Sequence, residues 1–286
     1  MHKIISIPYK KIGNFDIIGD IYLTSGKHSP SILYLHGGAL IWGSRRDIRP
    51  GLFSLLLNNG FTVVSIDYRL APATKLKEII NDIRDAIDWV KSGCSGLASI
   101  DQNRIGVLGN SAGGYLALCS GTFDNRPNAI VSYYGYGSIL EDWYTKPSEH
   151  YLKQESVSDS EFSSWVNSSK EISSAGFELF PFYVRTRQKG NWSEFVSGES
   201  KEELVKYCPI EMIDAQYPPT FLTHGTLDTD VAPSSSKLMS EELQKVGVPC
   251  EISMIKDRGH AFDMNEEDPE VENLAQKTLS FFKEHL

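Results

Sequence analysis

The chain has 286 residues, of which 41% are hydrophobic and 23% are charged, and its formal net charge at pH 7 is −9. These proportions are typical of a folded globular protein, and the length suits one large core with at most a small appended domain. A negative charge without basic runs argues against a polyanionic ligand, so we expect no nucleic-acid partner.

The cysteines and the apolar runs indicate in which compartment of the cell the protein is expected. Cys94, Cys119, Cys208 and Cys250 stand far apart without a C-x-x-C pair, which favours reduced thiols over a metal site or a redox pair. Pro8 and nearby lysines interrupt the N-terminal stretch before any apolar run of secretory length, and no segment approaches 18 consecutive apolar residues. We therefore expect a cytoplasmic protein without a membrane partner, and we leave the oligomeric state open, with a homodimer as one candidate.

The predicted elements begin with two strands, KIISIPY and FDIIGDIYLT, around a turn in which Gly13 and Asn14 supply positive φ angles. From SILYLHG onward, short apolar strands alternate with helices, and the helix over KLKEIINDIRDAIDWVKSG carries one apolar stripe. The later strands read RIGVLG, NAIVSYYG, TFLTHG and CEISMI. This alternation predicts an α/β fold with a mostly parallel, doubly wound sheet and an antiparallel start.

Residues 136–212 interrupt this rhythm, because they are rich in aromatic and polar residues and contain no buried type of strand. A structureless loop of this length is improbable, so we predict a mainly helical insertion within a single domain. Its aromatic side chains either form a satellite core or line a pocket at the strand ends, and both roles are compatible.

The segment LGNSAGGYL places Ser111 between glycines where a predicted strand ends and a helix begins. A G-x-S-x-G sequence permits the sharp strand-to-helix turn that exposes a nucleophilic serine, and the first N–H groups of the helix, that of Ala112 included, then face an oxyanion formed there. The alternative is a plain helix cap. A second loop, HGGA at residues 36–39, follows a strand end, so the N–H groups of Gly38 and Ala39 can face the same oxyanion.

Together these motifs resemble α/β-hydrolases of the carboxylesterase group, which includes hormone-sensitive-lipase-like esterases and kynurenine-formamidase-like hydrolases. The resemblance is carried by HGGA at 36–39, DYRLAP at 67–72 and GNSAGG at 109–114. Two positions depart from the family pattern, since Ala39 replaces a glycine and Asn110 replaces the usual aspartate before the serine. The resemblance implies an α/β-hydrolase fold with a helical cap, and hydrolysis of small carboxylic esters.

A serine nucleophile needs a histidine base and a carboxylate that holds the imidazole, in the chain order serine, acid, histidine. His260, in a glycine-containing loop after the last predicted strand, is the best-placed base. After the penultimate strand, HGTLDTDVAP offers Asp228 and Asp230 as the acid. The resemblance favours Asp228, while Asp230 has a helix cap or a solvent contact as its alternative role.

We predict three further residues at the substrate pocket: Trp42, Asn110 and Tyr136. Trp42 stands beside the HGGA loop, and Tyr136 belongs to a run of tyrosines at a strand end, of which one member faces the site while the others serve the core. His36 is expected to brace the oxyanion loop rather than to act as a base. No H-E-x-x-H or similar cluster is present, so no metal or organic cofactor is expected.

The sequence thus predicts a serine esterase that acts on a small-molecule ester through an acyl-enzyme. Amidase, formamidase and peptidase activities use the same groups and stay open, as does acyl transfer, which differs only in whether an alcohol outcompetes water. A non-catalytic binding protein on a hydrolase scaffold is the alternative from a different class, and the presence of all three catalytic residue types disfavours it.

Overall fold

A computed structural model describes residues 3–24, 26, 28–97 and 100–286. Its described residues form one eight-stranded sheet in the order β1-β2-β4-β3-β5-β6-β7-β8. The strands are β1 Lys3–Ile12, β2 Phe15–Leu23, β3 Ser29–Leu35, β4 Thr62–Ile66, β5 Ile100–Asn110, β6 Ala129–Tyr133, β7 Thr220–Gly225 and β8 Cys250–Ile255. β2 runs antiparallel to β1 and β4, and every other pairing is parallel. The predicted fold class, with its antiparallel start, is confirmed.

The β1–β2 turn differs from the prediction in one detail. Gly13 has a φ of +54°, but Asn14 is not among the described residues with positive φ. One left-handed residue is sufficient for this turn, and a glycine adopts that conformation without strain from a Cβ atom.

The helices that cover the sheet are α1 Pro50–Asn58, α2 Leu76–Lys91, α3 Gly93–Gly96, α4 Ala112–Ser120, α5 Asp142–Thr145, α6 Asp159–Ser168, α7 Phe180–Lys189, α8 Trp192–Ser197, α9 Ser234–Lys245 and α10 Pro269–His285. Short 3-10 segments lie at Tyr151–Lys153, Phe177–Leu179, Lys201–Tyr207, Pro209–Met212 and Phe262–Met264. No helix in the described part of the chain is both long and apolar enough to span a membrane.

Side chains alternate between two cores, one on each face of the sheet. In β3, Leu33 and Leu35 pack in the core that includes the apolar stripe of α2, whereas Ile32 and Tyr34 pack in the core with α1 and α10. This is the two-residue period of a strand whose faces are both covered, and it explains why β3 and its neighbours are apolar throughout.

The segment between β6 and β7 contains α5 to α8 and four of the 3-10 segments, so it is helical as predicted for the insertion. Its backbone joins the body of the domain at two loops that follow central strands. Gly43 and Ala175 exchange backbone hydrogen bonds of 2.9 and 3.2 Å, and the N–H of Leu70 donates to the carbonyl of Ile172 at 2.9 Å. The insertion is thereby held over the carboxyl ends of the parallel strands, where ligands bind in open α/β sheets.

Candidate active site

Ser111 occupies the turn between β5 and α4 in a strained conformation. Its φ is +55° and its ψ is −120°, and its backbone N–H donates to the carbonyl of Tyr133 at 2.9 Å. Positive φ is costly for a residue with a Cβ atom, by about 1–3 kcal/mol, and it persists only where the surroundings impose it. The side chain caps no N–H of α4, so the structure does not support the alternative of a plain helix cap.

The flanking glycines make this turn sterically possible. A Cβ atom on Gly109 would overlap the backbone of Gly113, and one on Gly113 would overlap the carbonyl oxygens of Leu35 and His36. The start of α4 therefore lies directly against the end of β3. The same contact brings the oxyanion loop predicted at residues 36–39 next to Ser111, since a Cβ atom on Gly37 would stand 3.4 Å from Ser111 Cβ.

His260 lies between Ser111 and Asp228. Its Nε2 is 3.0 Å from Ser111 Oγ, and its Nδ1 is 2.7 Å from Asp228 Oδ2. Because a carboxylate only accepts hydrogen bonds, Nδ1 carries the proton and Nε2 is free to accept the serine hydroxyl. The structure brings together the three residues that the sequence predicts as nucleophile, base and acid.

Asp228 is buried and its carboxylate accepts four hydrogen bonds. Oδ1 accepts the N–H groups of Asp230 and Val231 at 2.8 and 2.9 Å, and Oδ2 accepts Nε2 of His224 at 3.1 Å in addition to His260. Burial opposes the charge, but hydrogen bonds from His224 and His260 outweigh it and hold the pKa of Asp228 well below its usual range. The acid beside His260 is therefore an anion.

Asp230 stands on the opposite side of the imidazole, with its Oδ2 at 3.6 Å from His260 Nε2. Burial lowers the pKa of His260, but the negative charge of Asp230 and the hydrogen bond to Asp228 raise it above the ordinary imidazole value, and the net shift is upward. Two carboxylates thus stabilise the imidazolium that forms when His260 accepts a proton.

The predicted oxyanion donors lie in two places. Gly38 and Ala39 have φ values of +99° and +51°, and in the described part of the chain their N–H groups donate no hydrogen bond. Ala112 is the first residue of α4, so its N–H has no partner within the helix. His36 packs beneath this loop, fully buried and stacked on Tyr68 at 4.1 Å, with its Nδ1 2.7 Å from the carbonyl of Gly37.

A cavity of about 680 Å³ opens above Ser111 and His260. Trp42 and Asn110, both predicted at the pocket, line it, as do Gly38, Ala39 and Asp230. The insertion contributes the opposite wall, which includes His150, Tyr151, Ala175, Gly176, Phe177 and Phe180. Other aromatic residues of the insertion, Phe162, Trp165, Phe182 and Phe195, pack with one another in a separate cluster. The aromatic side chains of the insertion thus form a satellite core and also line the pocket, the two roles that its composition allows.

Tyr136 corrects the prediction of pocket residues. It is 2% exposed, stacks on Tyr115 at 4.8 Å and lies with its hydroxyl 3.1 Å from that of Tyr144, so it does not line the cavity. Tyr134 does so instead, with its ring 4.7 Å from the ring of His260. Tyr134 has a φ of +39°, and this backbone irregularity after β6 changes which tyrosine of the run faces the site.

Besides the exchange of Tyr136 for Tyr134, the site contains two residues that the sequence does not indicate, His224 and Arg187. His224 lies at the end of β7, where a histidine carries no distinct signal, and Arg187 gives no signal because its partner Asp230 is 43 residues away along the chain. The DTD spacing after β7 was the one available sign that two carboxylates belong to this loop.

No group of three or more His, Cys, Asp or Glu side chains is arranged to hold a metal ion within residues 3–24, 26, 28–97 and 100–286. The four cysteines are unpaired thiols, three of them buried.

The sheet order, the strained serine turn and the Ser–His–Asp arrangement define an α/β-hydrolase. A family model described as BD-FAE matches residues 19–243, which is most of the chain, and the protein belongs to this family of esterase-like α/β-hydrolases.

Solved structures agree on the fold. A protein of unknown function from Staphylococcus aureus is 22% identical with a TM-score of 0.83, covering 98% of this chain and 99% of that one. An α/β-hydrolase superfamily protein from Enterococcus faecalis is 24% identical with a TM-score of 0.77, covering 99% and 100%.

Similarity also extends to proteins whose names state an activity. The acetyl ester-xyloside bifunctional hydrolase of Caldicellulosiruptor lactoaceticus is 23% identical with a TM-score of 0.72, over 98% of this chain and 95% of that one. Among curated sequences, the non-reducing polyketide synthase adrD of Penicillium rubens is 28% identical over 98% of this chain, which spans only 14% of that protein.

Proposed function

We propose that this protein is a serine esterase that hydrolyses small carboxylic esters through an acyl-enzyme. The observation that carries the proposal is the continuous relay from Ser111 Oγ to His260 Nε2 at 3.0 Å and from His260 Nδ1 to Asp228 at 2.7 Å, with the serine held at a φ of +55°. The membership in an esterase-like family and the acetyl ester-xyloside bifunctional hydrolase among the structural neighbours support it.

In the first half of the reaction, Ser111 Oγ attacks the ester carbonyl while His260 Nε2 takes the serine proton. The N–H groups of Gly38, Ala39 and Ala112 stabilise the oxyanion, each contributing about 3 kcal/mol when well aligned. His260 then protonates the leaving alcohol. In the second half, water attacks the acyl-enzyme by the same route and the carboxylic acid leaves.

The cavity of about 680 Å³ accommodates a small substrate, and its aromatic wall around Trp42 and Phe180 suits an apolar acyl or alcohol group. Short-chain esters are the substrates that we expect first. Amides require the same nucleophile but a poorer leaving group, and we treat them as the comparison arm of the test.

The test is a hydrolysis screen of p-nitrophenyl esters with two to twelve acyl carbons, beside N-formyl and aminoacyl amides, using Ser111→Ala as the control. We expect release of p-nitrophenol from the short esters by wild type and its loss in the variant. Labelling by a fluorophosphonate probe should show the same dependence on Ser111. Turnover that persists in Ser111→Ala, or a wild type that neither hydrolyses esters nor reacts with the probe, would refute the proposal.

A further inference from the structure

The two oxygens of Asp230 have different surroundings. Oδ1 accepts the hydroxyl of Tyr183 and Nη1 of Arg187, each at 2.7 Å. Oδ2 accepts no hydrogen bond from the described residues, lies 3.6 Å from His260 Nε2, and belongs to a side chain that lines the cavity. One carboxylate oxygen is therefore held by the protein, and the other is directed at the atom that exchanges protons with the substrate.

The orientation of this carboxylate is fixed from behind. The side chain of Arg187 is 1% exposed, and its Nη2 also donates to the carbonyl oxygens of Asp230 and Trp143 at 2.9 and 3.0 Å. The rings of Trp143, Tyr151 and Tyr183 surround the guanidinium at 5.1–5.4 Å. A buried arginine with this many fixed partners loses little freedom when it binds a carboxylate, so Asp230 cannot rotate without breaking several bonds.

On the basis of the proposed esterase function, we propose that Asp230 is a further catalytic residue: its Oδ2 holds the water that hydrolyses the acyl-enzyme and so directs the acyl group to water rather than to an alcohol. Nε2 and Oδ2 are close enough for one water oxygen to lie within hydrogen-bonding distance of both. Such a water donates one proton to each atom.

The proton balance of deacylation follows from this position. The water oxygen forms a bond to the acyl carbon as His260 Nε2 takes one of its protons, and the carbonyl electron pair moves onto the oxyanion. The second proton stays on the attacking oxygen, hydrogen-bonded to Asp230 Oδ2. When the oxyanion collapses, the bond to Ser111 Oγ breaks, Nε2 returns the first proton to Oγ, and the free carboxylic acid keeps the second.

An alcohol cannot make both contacts at this place. Its single hydroxyl proton is needed by His260, so its alkyl group faces the charged oxygen of Asp230, which then lacks a donor. An unpaired carboxylate oxygen in a partly buried site is unfavourable, whereas a charge-assisted hydrogen bond to water stabilises both groups. Asp230 therefore favours hydrolysis over acyl transfer, a choice that the residues of the triad leave open.

Asp230→Asn tests this role with little change in shape. Because Tyr183 and Arg187 both donate to the buried side of this residue, the amide must place its carbonyl oxygen toward them and its NH₂ group toward the cavity. The substitution thus replaces an acceptor beside His260 with a donor. Asp257→Asn is the matched control, since Asp257 is exposed, lies three residues before His260 and has a φ of +56°, which asparagine also tolerates.

The measurement is the product ratio with p-nitrophenyl acetate at a fixed methanol concentration. Methyl acetate and acetate both arise from the acetyl-enzyme, so their ratio depends on deacylation alone. Because only folded enzyme forms the acetyl-enzyme, the ratio does not change with the fraction of the variant that is folded. We expect the ratio of methyl acetate to acetate to rise about tenfold in Asp230→Asn, the size of effect typical of a hydrogen bond to a charged group, and to stay at the wild-type value in Asp257→Asn.

Three results would overturn the proposal, and they separate its failure from that of the proposed function. If p-nitrophenol release does not depend on Ser111, both fail together. If release depends on Ser111 but Asp230→Asn keeps the wild-type product ratio, only the role of Asp230 is wrong. If Asp257→Asn raises the ratio as much as Asp230→Asn does, the effect comes from net charge and not from the position beside Nε2.

Discussion

The buried ion pair between Arg187 and Asp230 provides a quantitative test of how the insertion is joined to the catalytic loop. Arg187 lies in α7 of the insertion, and Asp230 lies in the loop after β7 that also carries Asp228. Arg187→Met keeps the length of the side chain and removes its charge and its hydrogen bonds. The carboxylate of Asp230 is then left with the hydroxyl of Tyr183 as its remaining partner.

The magnitude follows from burial. Removal of one member of a fully buried ion pair costs about 3–5 kcal/mol, because the other charge is left without a partner. The side chain of Asp230 is 19% exposed and regains some hydration, so we expect Arg187→Met to lower the free energy of unfolding by about 3 kcal/mol, at the low end of that range. Asp230→Asn keeps an oxygen acceptor for the guanidinium and should cost less, about 2 kcal/mol.

The assay is a double-mutant cycle by urea unfolding, with intrinsic fluorescence as the signal and the denaturant slope checked in each variant. Arg187→Met combined with Asp230→Asn leaves no unpaired charge, so the double variant should be more stable than the sum of the single effects predicts, by about 1–2 kcal/mol. Single effects that add to within about 0.5 kcal/mol would show that the two groups do not interact, and the inferred coupling of insertion and loop would be wrong.

Three further predictions concern catalysis and the serine turn. Asp228→Asn should lower kcat on the order of 10⁴-fold, as the loss of the triad carboxylate does in serine proteases, and a kcat near that of wild type would show that Asp228 does not hold the imidazole. The pKa of His260 is raised and the base must be neutral, so the acidic limb of kcat/KM against pH should lie above the ordinary imidazole pKa of about 6.5. In Asp230→Asn this limb should move to lower pH, because the negative charge that raises the pKa is removed. A limb that does not move would contradict the assigned cause. Gly113→Ala should lower the free energy of unfolding by about 1–3 kcal/mol, because the added Cβ atom meets backbone carbonyl oxygens. Gly259→Ala is the control and should change the free energy of unfolding little, because its Cβ atom would have only a contact at 3.9 Å. Equal losses of stability in thermal unfolding would refute the steric argument.

The fold and the triad were predictable from the sequence because each depends on local patterns. The apolar strands and the stripe of α2 indicate a sheet covered on both faces, and the G-x-S-x-G turn marks the place where one strand ends. The chain order serine, acid, histidine leads to His260 after β8 and to two candidate acids after β7, Asp228 and Asp230. The resemblance to the carboxylesterase group then favours Asp228, so the order of the elements restricts the candidates and the family pattern selects the acid.

The errors and omissions arise where tertiary contacts decide the outcome. The choice of Tyr136 over Tyr134 is wrong because Tyr134, just past the end of β6, adopts a left-handed conformation and places its ring beside His260, whereas Tyr136 stacks on Tyr115. Burial of His224 against Asp228 depends on the packing of α9, which brings Ser236 to within 2.8 Å of His224 Nδ1. Neither the backbone conformation of Tyr134 nor the contact of His224 with Asp228 produces a periodic pattern in the sequence.

The loop after β7 shows why neighbouring residues of one type need separate arguments. Asp228 and Asp230 are two positions apart, and the N–H of Asp230 donates to the carboxylate of Asp228 at 2.8 Å, so the loop turns around the first aspartate and presents the second on the other side of His260. The anion at Asp228 is held by the body of the domain through His224, whereas the anion at Asp230 is held by the insertion through Arg187. Since both anions act on one imidazole, a change in the packing of α7 reaches His260 through Asp230, which Arg187 and Tyr183 of that helix both bind. The insertion is therefore not only a wall of the cavity but also part of the electrostatic environment of the base.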